Sequence, residues 1–221
     1  MSFSALSVVA VSLLGVALAR ANDCPKRLPP PARLSTQPCL KCGDYRQFRM
    51  PIAHENVKFW YWADFTKTHR AKDIGAPIGT AVVYDPDIFC YAIAKTEVVY
   101  AADVAAKKPL PVDPAVVLKH TTKSRAVFFS FYAHLSKVHV KAGDILVAGA
   151  AIGEVGDIGA IRFFKTIRGV VKAGEKIPHL HFGITTKGDK GEVFVDDGRH
   201  FIDPRRILRR RVEQTKPRRK E

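Results

Sequence analysis

The chain has 221 residues, 47% of them hydrophobic, which is enough for a packed core and excludes wholesale disorder. That length suits one domain, or one domain with an appendage. Its 36 Lys and Arg against 21 Asp and Glu give a formal charge of +15. This implies an acidic partner, whether cell-wall polymer, membrane surface or nucleic acid, and charge alone does not choose among them.

Residues 1–21 read as a signal peptide. The apolar run from Ala5 to Ala19 is too short to span a bilayer comfortably. It ends in Ala17-Leu18-Ala19 and Ala19-Arg20-Ala21, both A-x-A patterns that a signal peptidase reads. No cysteine sits at that point in a lipobox context, so a lipid anchor is not expected. The mature chain is therefore expected to be exported: secreted, periplasmic or associated with a cell wall. Four cysteines, Cys24, Cys39, Cys42 and Cys90, agree with an oxidising compartment and read as structural disulfides with three pairings open. Cys39-x-x-Cys42 lacks the second pair or the spaced histidines that a structural zinc site needs.

Residues 22–50, with Pro29-Pro30-Pro31, Lys26, Arg27 and Arg33, form a Pro-rich extended arm tethered by cysteines. The main domain covers 51–208. There, short β-branched and aromatic runs are separated by Gly, Pro and Asp. Strands are predicted at Thr80–Tyr84, Ile88–Ala94, Glu97–Ala101, Ala115–Leu118, Ala126–His134 and His179–Thr185. No amphipathic helix intervenes, so the fold class is all-β, a compact antiparallel sandwich or barrel-like core. Phe59-Trp60-Tyr61-Trp62 reads as a packed strand in preference to a carbohydrate platform. Val140-Lys141-Ala142-Gly143-Asp144 is echoed by Val171-Lys172-Ala173-Gly174-Glu175, each a turn whose Gly takes positive φ. Nine basic residues fall between Arg205 and Lys220 against Glu213 and Glu221. A short helix fraying into a basic tail, residues 209–221, is expected there.

The chemistry sits in eight histidines. His54, His120 and His200 stand alone and read as surface or core residues, and His139 as a solvated one. His69-x-x-x-Asp73 places a carboxylate four residues after an imidazole. His179-Leu180-His181 places two imidazoles on one face of a strand, because side chains alternate. His134 ends an aromatic strand and offers a fifth group. Two His and one Asp make the open three-ligand set of a catalytic zinc, which leaves a position for water and lowers that water's pKa to about 7. Two further histidines beside it suit proton transfer or oxyanion stabilisation.

The surrounding text carries a resemblance. The motifs run in order: His69-x-x-x-Asp73-Ile74-Gly75-Ala76-Pro77-Ile78-Gly79-Thr80, Phe131-Tyr132-Ala133-His134-Leu135-Ser136, Val140-Lys141-Ala142-Gly143-Asp144, Ile152-Gly153-Glu154-Val155-Gly156 and Pro178-His179-Leu180-His181-Phe182. Phe201-Ile202-Asp203-Pro204 closes them. Over roughly residues 51–208 the chain resembles the lysostaphin-type, LytM-like zinc endopeptidases that cut peptide bonds in bacterial peptidoglycan. The resemblance implies the duplicated hybrid motif, a compact antiparallel β fold with the metal at the floor of a groove. It implies one Zn2+ per chain, held by His69, Asp73 and His181. It also makes His134 and His179 the catalytic pair, with the order of base and oxyanion roles left open. All five positions are filled, which favours an active enzyme with a peptidoglycan peptide as substrate.

Two departures stand out. The family's usual Gly two residues after the first ligand is Ala71 here, and the short link before H-x-H is replaced by Ala160–Ile177, rich in Arg, Lys and Phe. A non-catalytic zinc-containing binding or signalling module of the same fold is therefore the competing class. The basic tail is expected to hold an anionic wall polymer or membrane surface, and nucleic acid is the weaker partner. A biotinyl or lipoyl carrier is rejected, since it leaves the histidines unexplained.

Overall fold

A computed structural model describes residues 48–57, 69–103, 114–157, 178–188 and 200–209. The expected signal peptide, nearly all of the arm, the aromatic cluster at 59–62, the 160–177 insertion, the second turn of the echo and all but the first residue of the tail lie outside the described residues. So do Cys24, Cys39 and Cys42. Among the described residues no helix is long and apolar enough to cross a membrane.

Among the described residues nine strands follow one another: β1 (Lys72–Gly75), β2 (Ala81–Val83), β3 (Ile93–Ala102), β4 (Ala115–Thr122), β5 (Val127–Ala133), β6 (Leu135–Val138), β7 (Ala151–Val155), β8 (His179–Thr185) and β9 (Phe201–Ile202). Three short 3-10 turns, His54–Asn56, Pro86–Ile88 and Pro204–Arg206, complete the regular structure of the described residues. One sheet runs β1-β8-β5-β4-β3, with β9 also on β8; the other runs β2-β7-β6. Every strand pair is antiparallel. The all-β antiparallel expectation is met.

β5 sits between β4 and β8 and is covered on both faces, which is why it reads as a nearly continuous apolar run. Phe128 and Tyr132 point into the larger core, with Leu180, Phe182, Ile74 and, from the second sheet, Val82, Ile152 and Val155. Phe129 and Phe131 point the other way, into a smaller cluster with Ala71 and Val117. Burying each such ring contributes roughly 1.5–3 kcal/mol. Phe48 and Met50 join the larger core, and Arg49 N–H donates to the Arg209 carbonyl at 3.0 Å. The packed body thus takes in the last residues before Pro51.

The predicted strand at Ile88–Ala94 is not one. Asp85 caps a 3-10 turn by accepting from the Asp87 N–H at 2.8 Å, and Pro86 opens that turn. Phe89 then makes a single bridge to Leu208, and β3 begins only at Ile93. Local capping overrides the β-branched pattern there. After Ile202 the expected helix is a single 3-10 turn within the described residues, capped by Asp203.

Candidate functional site

β8 sets the centre of the site. His179 and His181 alternate with Leu180, which is fully buried in the larger core, so both imidazoles fall on the opposite face. The register then places Asp73 of β1 beside His181 on one side and Ala133 of β5 beside it on the other. His69 lies three residues ahead of β1, and His134 follows Ala133 directly. All five residues singled out in the sequence meet in one place.

Asp73 is the hub. His181 Nδ1 lies 2.7 Å from its Oδ1, His179 Nε2 lies 3.7 Å from the same oxygen, and His69 Nε2 lies 3.2 Å from Oδ2. The His134 ring stands 5.0 Å from that of His179 and 5.2 Å from that of His181. Burial by itself would raise the Asp73 carboxyl, but hydrogen bonds from His181 and His69 and the charges of His181 and His179 hold it well below the usual carboxylate range. It is an ionised group with histidines around it.

The donor set fits a metal. Ligand atoms of His69, Asp73 and His181 lie within 4.8 Å of one another, as do those of His134, His179 and His181. Two imidazoles and one carboxylate with room for a further ligand suit zinc better than calcium or magnesium, which prefer oxygen-rich sets.

Backbone geometry holds the two remaining histidines together. Gly156 N–H donates to the His134 carbonyl at 2.9 Å, and His179 N–H donates to the Gly156 carbonyl at 3.2 Å. A Cβ at Gly156 would meet Ser136 N, Leu135 C and His134 O at 2.5–2.8 Å, so only glycine allows this approach. The sequence shows Gly156 inside a motif, but nothing in it reveals this tie. Ala71 needs no glycine: among the described non-glycine residues positive φ occurs only at Arg125 and His134.

Of the other histidines, His120 and His139 sort as the sequence suggests, with one refinement. His120 is a core residue, fully buried. His139 is exposed and pairs with Glu154 at 3.1 Å, while Lys137 reaches the same carboxylate at 3.2 Å. His200 is half-buried, and His54 lies in the first 3-10 turn.

A family model described as Peptidase family M23 matches residues 67–193, more than half of the chain and inclusive of all five site residues. No curated protein matches. Among solved structures, the chain is similar to a zinc containing peptidase from Vibrio cholerae, at 18% identity over 72% of this chain and 39% of that one, TM-score 0.42. It is similar to the antimicrobial peptidase lysostaphin from Staphylococcus simulans, at 23% identity over 69% of this chain and 52% of that one, TM-score 0.39. A third is the catalytic domain of the prophage-encoded M23 protein EnpA from Enterococcus faecalis, at 20% identity over 65% and 78%, TM-score 0.36. The chain thus spans well under two thirds of the first two proteins. At these TM-scores the family match carries the assignment, and the superpositions do not.

Proposed function

We propose a function from one premise: the chain belongs to peptidase family M23. The reading is an exported, zinc-dependent endopeptidase that hydrolyses peptide bonds in bacterial peptidoglycan. The observation that carries it is the convergence on Asp73 of three imidazoles between 2.7 and 3.7 Å, with the His134 ring against two of them.

In this reading His69, Asp73 and His181 hold one zinc ion. Bound there, zinc supplies Lewis acidity toward the scissile carbonyl and makes water more acidic. His179 Nε2, close to Asp73 Oδ1, is placed to take a proton from the attacking water or to give one to the developing oxyanion. His134, its ring against His179, takes the complementary role. Ala160–Ile177, ahead of His179, is proposed to tune which wall peptide is accepted. The basic tail is proposed to retain the protein on an anionic wall polymer. Export through residues 1–21 and structural disulfides belong to the same proposal.

The test is release of new amino groups from purified peptidoglycan by the mature protein, with and without a chelator. Chelator-sensitive release is expected, and His181→Ala should lose stoichiometric zinc. No release from several wall types by folded, zinc-loaded protein would replace the enzyme with a non-catalytic zinc module. Full zinc retention in His181→Ala would remove the ligand assignment.

A further inference from the structure

On the site face of the first sheet, one row of residues crosses three strands. Phe131 of β5 stands opposite Gly183 of β8, and Ala71 lies one position beyond the Lys72–Phe182 pair of β1 and β8. Along the row the side chains are a methyl group, nothing, and a phenyl ring. A Cβ built on Gly183 would overlap Cζ and Cε1 of Phe131, so the ring lies over bare backbone of β8. It reaches the same buried cluster as Ala71. Here the glycine is a notch, and a residue with any side chain would push the ring out.

The seated ring touches the site. Its centroid lies 5.7 Å from that of His181, at 44°, and 5.8 Å from that of Phe201, at 87°. The other ring and hydrogen-bond contacts of His181 among the described residues are polar: His69 at 5.0 Å, His134 at 5.2 Å, and Asp73 through the 2.7 Å hydrogen bond. Each of these is committed to metal or proton in the function proposed above. Among the described residues, Phe131 is the apolar ring packed against His181. A histidine's second torsion is broad and weakly restrained by itself. A hydrogen bond at one edge leaves the ring free to rock about that edge, and a planar wall removes this freedom.

We propose that Phe131, seated in the notch left by Gly183 and Ala71, is a positioning residue that fixes the His181 imidazole for metal ligation. This rests on His181 being a zinc ligand. Residues that orient a metal-ligating histidine typically change metal affinity by about 10–100-fold when altered. Phe131→Leu keeps most of the volume and loses the flat face. It should fold, bind zinc about tenfold more weakly in competition with a chromophoric chelator, and shift the visible absorption of the Co2+-loaded protein. Gly183→Ala, which displaces the ring, should give a similar loss. Phe131→Ala should lose at least as much, and adding Gly183→Ala to it should change zinc affinity no further, since the displaced ring is already gone. Wild-type zinc affinity and cobalt absorption in Phe131→Leu and Gly183→Ala would overturn the proposal while leaving the ligand set intact. A wild-type protein that takes up no zinc would overturn both.

Discussion

His134 is a single residue joining two sheets: β5 ends at Ala133 in one and β6 begins at Leu135 in the other. The corner is made by a left-handed backbone, φ 62°, which costs a residue other than glycine about 1 kcal/mol or more. Histidine, asparagine and aspartate tolerate it best. The same turn that moves the chain between sheets aims the imidazole at His179 and His181. The backbone role and the proposed proton role are separable, because asparagine accepts the φ and carries no titrating ring. His134→Asn should therefore keep the fold and bound zinc while turnover on peptidoglycan falls by about 10²–10⁴, the usual worth of a general acid or base. His134→Ala should show the same loss of rate and in addition lower the urea unfolding midpoint. Near-normal turnover in His134→Asn would remove His134 from the chemistry.

At the scale of the strands, β3, β4 and β5 share a polar chain through the larger core. Tyr84 OH meets Thr96 Oγ1 at 2.6 Å, Thr96 Oγ1 meets His120 Nδ1 at 2.9 Å, His120 Nε2 meets Ser130 Oγ at 2.7 Å, and Ser130 Oγ–H donates to the Tyr132 hydroxyl oxygen at 3.1 Å. Hydrogen counting assigns the rest. With the Ser130 hydrogen committed, His120 Nε2–H must donate to Ser130, Nδ1 must accept from Thr96, and Tyr84 must donate to Thr96. This arrangement needs a neutral imidazole. Phe89 and Phe128 pack on its ring, and burial lowers the His120 pKa from 6.5 to about 3. Between those values the unfolded state binds the proton and the folded state does not. The stability from His120 is thus complete above the unfolded pKa and falls as pH drops toward the folded one, by up to about 1.4 kcal/mol per pH unit. His120→Gln can keep one donor and one acceptor without the titration. Urea unfolding at pH 6.5, 5 and 4 should show a steeper loss for the wild type than for His120→Gln, since every other group is common to both proteins and cancels. Equal slopes would show that His120 does not supply the pH dependence.

The same scale shows what was legible. β8 is readable because Leu180, Phe182 and Ile184 alternate with His179, His181 and Gly183, and the aromatic run of β5 because both its faces are covered. β1 escapes notice because its four residues include Lys72 and Asp73, both buried, where a strand pattern has apolar side chains. β7 carries Gly153 in its interior, where a Cβ would meet the Lys137 carbonyl at 2.7 Å, and β6 is four residues long. These strands are defined by partners far away in sequence. The local pattern holds no trace of them.

In the molecule as a whole, the site occupies the place where the ends of β1 and β8 and the corner between β5 and β6 come together, so three distant stretches of chain must fold before it exists. Its five residues were nonetheless legible, since His69 with Asp73 and His179 with His181 sit in short motifs, and His134 closes an aromatic strand. The roles of Gly156 and Phe131 were not, because both arise from the approach of one backbone to another. Convergence of this kind has a thermodynamic consequence. His69 and Asp73 belong to one segment and His181 to another, Asp73 and His181 being 108 positions apart, and the unfolded chain offers no such preformed set. An ion held by them binds the folded chain selectively. At 100 times its dissociation constant it adds about 2.7 kcal/mol. For a chain of this size that corresponds to a rise of about 5–10 °C in Tm. Calorimetry of the mature protein with a slight excess of zinc, and again after exhaustive chelation, should show that difference. His181→Ala should show no difference between the two conditions. A wild-type Tm indifferent to the chelator would mean that the cluster is held by its own hydrogen bonds and that no ion completes it.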